Sequence, residues 1–236
     1  MNQPQFAQDS KDLMNTLLRR ANELVVKIDT LDRPSEDLVK YYGYLKDFPI
    51  NSGCLCDDIL QAAYNDAVLL AMGGVRVLLE DTINVHYLES RPDEAARIAV
   101  ATDWFRISND ANAQKHELEG KSIANRAKEA NKAARALYYG EYADFCNYTH
   151  STAARVILNV PTLRVILANK AVMASLKAYA NIVTCVERIM GETKSAAITT
   201  DVATYFNKYR QTVMEAPLPE LDATGKVKDE GVSSQS

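Results

Sequence analysis

Apolar positions recur every three or four residues along most of this chain, and runs of strict alternation are missing, so the pattern predicts helices and no sheet. From Lys11 to Thr30, Leu13, Met14, Leu17, Leu18, Ala21, Leu24, Val25 and Ile28 share one helix face, with Arg19, Arg20, Asn22 and Lys27 opposite. Ser35 reads as the cap of a short second helix carrying Leu38, Tyr41, Tyr42, Leu45 and Phe48, which Pro49 to Gly53 should end. A long helix is then predicted from Asp57 to Ser90. Its middle is apolar nearly all round, which predicts a rod at the centre of a bundle. Gly73-Gly74 within it predicts a kink or a close helix approach.

Ser90-Arg91-Pro92-Asp93-Glu94 opens the next helix, with Pro in the first turn and acids at the positive dipole end. From Gln114 to Leu137 the composition turns to Ala, Lys, Arg and Glu. There Ile123, Ala127, Ala130, Ala134 and Leu137 form a narrow apolar seam. Helices are also predicted over Glu141 to Leu158, from the Asn159–Thr162 break to Met190, and over Thr200 to Met214. The expectation is all-α: a single-domain helical bundle of six to eight helices over 11–214, with a flexible N-terminus over 1–10 and a disordered tail over 215–236.

Charge narrows the function. With 27 Lys+Arg against 31 Asp+Glu the net charge is −4, which excludes coating a nucleic acid by bulk charge but leaves room for a local basic stripe. The start, MNQPQFAQDSKD, lacks a basic region followed by an apolar run, and the most apolar window, Ala67 to Leu79, is interrupted by Arg76, so neither a secretory signal nor a membrane span is expected. Cys54, Cys56, Cys146 and Cys185 in a chain with a full core read as reduced thiols of a cytoplasmic protein.

Two constellations could carry chemistry. Asp66, Gly73, Arg76, Glu80 and Asn84 fall on one face of the predicted central helix, and an Arg among Val and Leu needs a partner, for which Glu80 is placed one turn away. Tyr139, Tyr142, Cys146 and His150 follow one another at about one turn on a later helix, where His150 could move protons. As a buried polar partner, His150 should cost about 1–3 kcal/mol on replacement by Ala. Cys54, Cys56, Cys146 and His150 are of zinc-ligand type, but the usual C-x2-C spacing is missing, so no metal and no cofactor are expected. Lys121, Lys128, Lys132 and Arg135 oppose the Ala seam as a basic stripe that could touch RNA phosphates.

The stretch from Val75-Arg76-Val77-Leu78-Leu79-Glu80 to Tyr87, then Pro92 to Trp104 and Tyr138 to His150, resembles a bacterial all-helical family of unknown function, over roughly Asp57 to Met190. That resemblance implies that Arg76, Glu80 and His150 meet inside the bundle with Tyr142 nearby. More distantly the chain is similar to HEPN-type bundles, many of them ribonucleases of toxin and phage-defence systems, which place an Arg four to six residues ahead of a His; the six residues before His150 contain no Arg. The leading expectation is a protein that binds a macromolecular partner, another protein or a second copy of itself, with RNA reachable through the stripe. The alternative is an RNA-cleaving or phosphate-handling enzyme built on Arg76, Glu80, Tyr142 and His150.

Overall fold

The computed structural model describes residues 2–109, 118–150, 154, 157–191 and 196–216, and among these it is all-α, with no strand. In chain order α1 spans Gln3–Asp29, α2 Glu36–Tyr64, α3 Val68–Glu89 and α4 Glu94–Asn109. Two short helices follow, α5 over Ile123–Ala130 and α6 over Lys132–Leu137, then a π-helical turn at Tyr138–Tyr142 and α7 at Ala143–Thr149. The last long helix is α8, Pro161–Ile189, and α9, Ala196–Tyr209, ends in a second π turn at Arg210–Met214. Helices α3 and α8 pair at the centre, α2 lies against both, α1 closes α2 and α8, and α5 covers α3. Most of the predicted tail lies outside the described residues. No described helix is long and apolar enough to cross a membrane.

The first helix begins at Gln3 rather than Lys11, so the expected flexible lead is largely part of the bundle. Asn2 caps it by accepting from the Gln5 N–H at 3.3 Å. Phe6 is fully buried, edge-on to Tyr209 at 4.9 Å, and the Ser10 and Tyr205 hydroxyls bond at 2.6 Å. These contacts fasten the start of the chain to α9.

Pro49 and Gly53 do not end a helix. Both are buried inside α2, where proline forfeits one backbone bond and the bundle supplies another contact. Tyr179 of α8 donates its hydroxyl to the Pro49 carbonyl at 3.1 Å, and a Cβ on Gly53 would stand 2.7 Å from that same hydroxyl. The two helix breakers thus form a notch for a tyrosine. The chain turns instead at Asn65-Asp66-Ala67, where Asp66 has φ 60° and Ala67 N–H donates to Ala62 O at 2.8 Å, a Schellman-type ending.

This boundary changes α3. Its C-terminal half, Thr82 to Leu88, is buried on every side, whereas its first half leaves Leu70 and Val77 exposed. Gly74 provides the expected close approach, since a Cβ there would lie 2.7 Å from Ile59 Cγ1, while one on Gly73 would touch nothing within 4 Å. Gly73→Ala should therefore stabilise the fold by about 0.5–1 kcal/mol through helix propensity. Gly74→Ala should destabilise it by about 1–2 kcal/mol as overpacking outweighs the same gain. Urea unfolding of the two variants checks the contrast, and equal shifts would contradict the α2–α3 contact.

The Ala-rich helix is likewise two elements. Asn131 adopts extended backbone (φ −159°, ψ 178°) and caps α6 through Oδ1, which accepts from Ala134 N–H at 2.9 Å. The split raises the number of described α-helices to nine, above the six to eight expected.

Candidate functional site

Three of the four residues proposed for catalysis come together. Tyr142, the last residue of the first π turn, donates its hydroxyl to Glu80 Oε1 at 2.7 Å, and Arg76 Nε lies 3.5 Å from the same oxygen. The neighbouring Tyr142 hydroxyl, and less strongly Glu80, keep the Arg76 guanidinium firmly charged despite partial burial. Burial, followed by the adjacent Glu80 carboxylate, pushes the Tyr142 phenol well above its ordinary range, so it acts as a donor and not as a base.

The Arg76 side chain is 43% exposed, so the pair does not lie within an apolar rod as expected. The reason is the α3 boundary, which turns this stretch of the helix partly to the surface. Asp66 has left the face altogether and pairs with Arg164 at 3.1 Å. Asn84 is buried with Oδ1 unpartnered.

His150 stands apart. It follows α7 as its C-cap in extended backbone, is exposed, and its ring has no described hydrogen bond or ion pair. Eight residues of helix separate it from Tyr142, roughly 12 Å along the axis. The resemblance implied that His150 meets Arg76 and Glu80 inside the bundle, and the geometry does not bring it there. Exposure also removes the reason for its expected cost on replacement.

The basic stripe is shorter than the sequence suggested. Lys121 precedes α5 and is engaged, its ammonium bonding Glu129 at 2.8 Å and the Tyr87 hydroxyl at 2.9 Å. Lys128, Lys132 and Arg135 are exposed, and none has a described carboxylate partner. Ala127, Ala134 and Leu137 of the seam are buried behind them. Four residues beyond Arg135, Tyr139 is 62% exposed in the π turn, edge-on to Tyr138 at 5.1 Å, and Tyr138 stacks on Tyr142 at 5.3 Å. The Arg76–Glu80–Tyr142 knot thus anchors the inner end of an aromatic row whose outer end is in water.

The four residues of zinc-ligand type do not converge: none of Cys54, Cys56, Cys146 and His150 falls in a metal-competent group among the described residues, and all four cysteines are free. A group that was not foreseen does converge. His86 and Glu89 lie three residues apart at the end of α3, and Cys185 reaches them from α8. Cys185 Sγ is 3.4 Å from His86 Nδ1, and Glu89 Oε2 is 3.5 Å from the same nitrogen. Arg188 clasps Glu89 with Nε and Nη2 and approaches Cys185 Sγ at 3.2 Å through Nη2. Burial pushes the Cys185 thiol far up, with Glu89 adding to the effect, so it is no ready nucleophile. Although burial opposes it, the polar groups packed around it, with the Arg188 guanidinium bonded to both of its oxygens, bring the Glu89 carboxyl down to about 2.

Beside this group, α8, α9 and the second π turn enclose an open groove of about 630 Å³, with Val202, Phe206 and Met214 on its apolar side and Lys177, Arg188 and Arg210 among its polar lining. Each of those three cations already holds a carboxylate: Glu141, Glu89 and Glu215 respectively. No family model, curated protein or solved structure matches this chain.

Proposed function

We propose that this protein binds single-stranded RNA, without cleaving it, through the exposed face formed by α5, α6 and the first π turn. The observation that carries the reading is the set of exposed cations Lys128, Lys132 and Arg135, without described carboxylate partners, leading to the exposed ring of Tyr139. Backbone phosphates supply affinity through such cations, and a protruding aromatic supplies a stacking surface for a base. Local helix energetics do not account for the pattern. Lys128 lies in the last turn of α5, where a cation is favoured, but Lys132 opens α6, where the helix dipole opposes it.

A π turn is costly to keep and is often found at functional sites. Here the Arg76–Glu80–Tyr142 knot holds that turn in place and so orients Tyr139. We assign those three residues to positioning. The likeness to HEPN-type bundles points to the same ligand class, while the separation of His150 from Arg76 argues against cleavage. A cytoplasmic setting accords with four free thiols.

Fluorescence anisotropy with a short labelled single-stranded RNA tests the reading. Binding should weaken with salt, and Lys128→Glu with Lys132→Glu should cost at least about tenfold in affinity and flatten the log–log salt slope by about 1.4, two phosphate contacts' worth. Stability should change by less than about 0.5 kcal/mol, as for exposed positions. RNA binding unaltered by the reversals, or no binding by the parent chain, refutes the proposal. Capture of a protein through this face in place of RNA would also refute it.

A further inference from the structure

The amide of Asn131 settles the state of a neighbouring ring. Its Oδ1 is committed to the Ala134 N–H at 2.9 Å as the cap of α6, so the Nδ2 group faces His86 Nδ1, 3.2 Å away. An amide nitrogen only donates, which makes His86 Nδ1 an acceptor and places the ring proton on Nε2. The Nδ1 lone pair faces the Asn131 amide, and Cys185 Sγ and Glu89 Oε2, two further electron-rich atoms, lie beside the same nitrogen. His86 and Cys185 are buried, Glu89 is partly so, and donor atoms of the three lie within 4.8 Å of one another.

The spacing is that of ligands around one ion. Zinc bonds of about 2.0 Å to nitrogen and oxygen and about 2.3 Å to sulfur, at tetrahedral angles, set N···S at about 3.5 Å and N···O at about 3.3 Å. The observed separations are 3.4 Å and 3.5 Å. Imidazole, thiolate and carboxylate together suit zinc and cobalt, whereas magnesium and calcium favour oxygen throughout. Asn131 bonds the ligating nitrogen itself and must yield when a metal arrives.

We propose that His86, Glu89 and Cys185 form a binding site for a divalent zinc-class ion, with a fourth position left to water. Arg188 is its competitor: the guanidinium now supplies the positive charge beside Glu89 and Cys185. At 47% exposure it can swing out into the groove, which gives the ion a way in. On binding, the thiol proton leaves to solvent, the Sγ–metal bond forms, and the charges of Glu89 and thiolate are neutralised by the dication. Without an ion, the same four side chains form a hydrogen-bonded knot between α3 and α8.

Cobalt(II) titration of the full chain, reduced and stripped with chelator, tests the site. A one-to-one complex should appear with a thiolate-to-cobalt charge-transfer band in the near ultraviolet, and zinc should displace it. Cys185→Ser should abolish that band, and His86→Gln should weaken binding by at least about tenfold. Because both ligands are buried and their variants could misfold, Arg188→Gln provides an independent reading at a half-exposed position. Removing the competing cation should tighten cobalt binding by about threefold or more. No band in the parent chain, a band that survives Cys185→Ser, or Arg188→Gln binding no tighter than the parent would each overturn the proposal. None of these outcomes bears on RNA binding, so the two readings stand or fall separately.

Discussion

Asp81→Asn should make this protein more stable than its parent at about pH 8 by roughly 2–4 kcal/mol, and should leave the two nearly equal at about pH 3.5. Asp81 sits on α3 against Ser52 of α2, whose hydroxyl donates to Oδ2 at 3.4 Å. That long bond is too weak to replace lost water, so burial pushes the carboxyl up to about 7, with Glu80 next in sequence adding repulsion. The folded value is above the unfolded one, so between about pH 4 and pH 7 the folded chain holds a proton that the unfolded chain has released. Stability contributed by this group is therefore complete below that window, declines through it, and is lost above it. Asn keeps the shape and cannot ionise. The upper figure is discounted because an edge of the residue reaches solvent. Asp9 and Glu89, each lowered to about 2, work in the opposite sense and in a separate window: what they contribute is lost only as pH falls below about 4.5. Urea midpoints of both chains across this range measure the difference, and parallel profiles would mean that Asp81 is ionised without penalty.

Where local pattern and tertiary packing agreed, the fold was legible. Of the face read for α1, Leu13, Met14, Leu17, Ala21, Leu24 and Ile28 are buried, and Leu18 and Val25 are half-buried. Where packing overrode propensity, reading failed. Pro49 and Gly53 look like a stop, yet they are where Tyr179 docks, a contact 130 residues away in sequence. The true stop was available in Asn65-Asp66, two residue types that tolerate a left-handed backbone. Reading on through that turn put Asp66 on the wrong face and Arg76 too deep.

The candidate sites divide in the same way. Arg76 and Glu80 were pairable from their spacing, and the tyrosine that joins them crosses 62 residues, so only resemblance suggested it. His86-x-x-Glu89 is legible as a pair on one helix face, but the cysteines nearest each other in sequence, Cys54 and Cys56, are not its partners. Cys185 is 99 residues from His86, and nothing in helix periodicity says which turn of α8 meets which turn of α3. The basic face needed one further fact, that Asn131 ends α5. The break leaves Lys128 and Lys132 on separate helices, while Lys121 precedes both.

Replacing Glu187 by Leu should destabilise the fold by about 3–5 kcal/mol, because it breaks a buried ion pair between two helices. The Glu187 side chain is wholly buried on α8, and its Oε1 accepts from Nε of Arg20 on α1, itself only 16% exposed. Arg20 turns its Nη1 outward to Glu23, one turn along, at 2.7 Å. That outer carboxylate is 57% exposed and adds only weakly to the hold on Arg20. The pair is nevertheless not optimal, since Glu187 Oε2 is buried without a partner. Desolvating both charges consumes most of what their attraction returns, so the damage comes from breaking the pair and not from lacking it. The double variant Arg20→Met with Glu187→Leu should accordingly recover most of the lost stability, and could exceed the parent. Urea unfolding of the two singles and the double closes the cycle. A Glu187→Leu variant within about 1 kcal/mol of the parent, or a double variant worse than either single, would show that α1 and α8 are held together by something other than this pair.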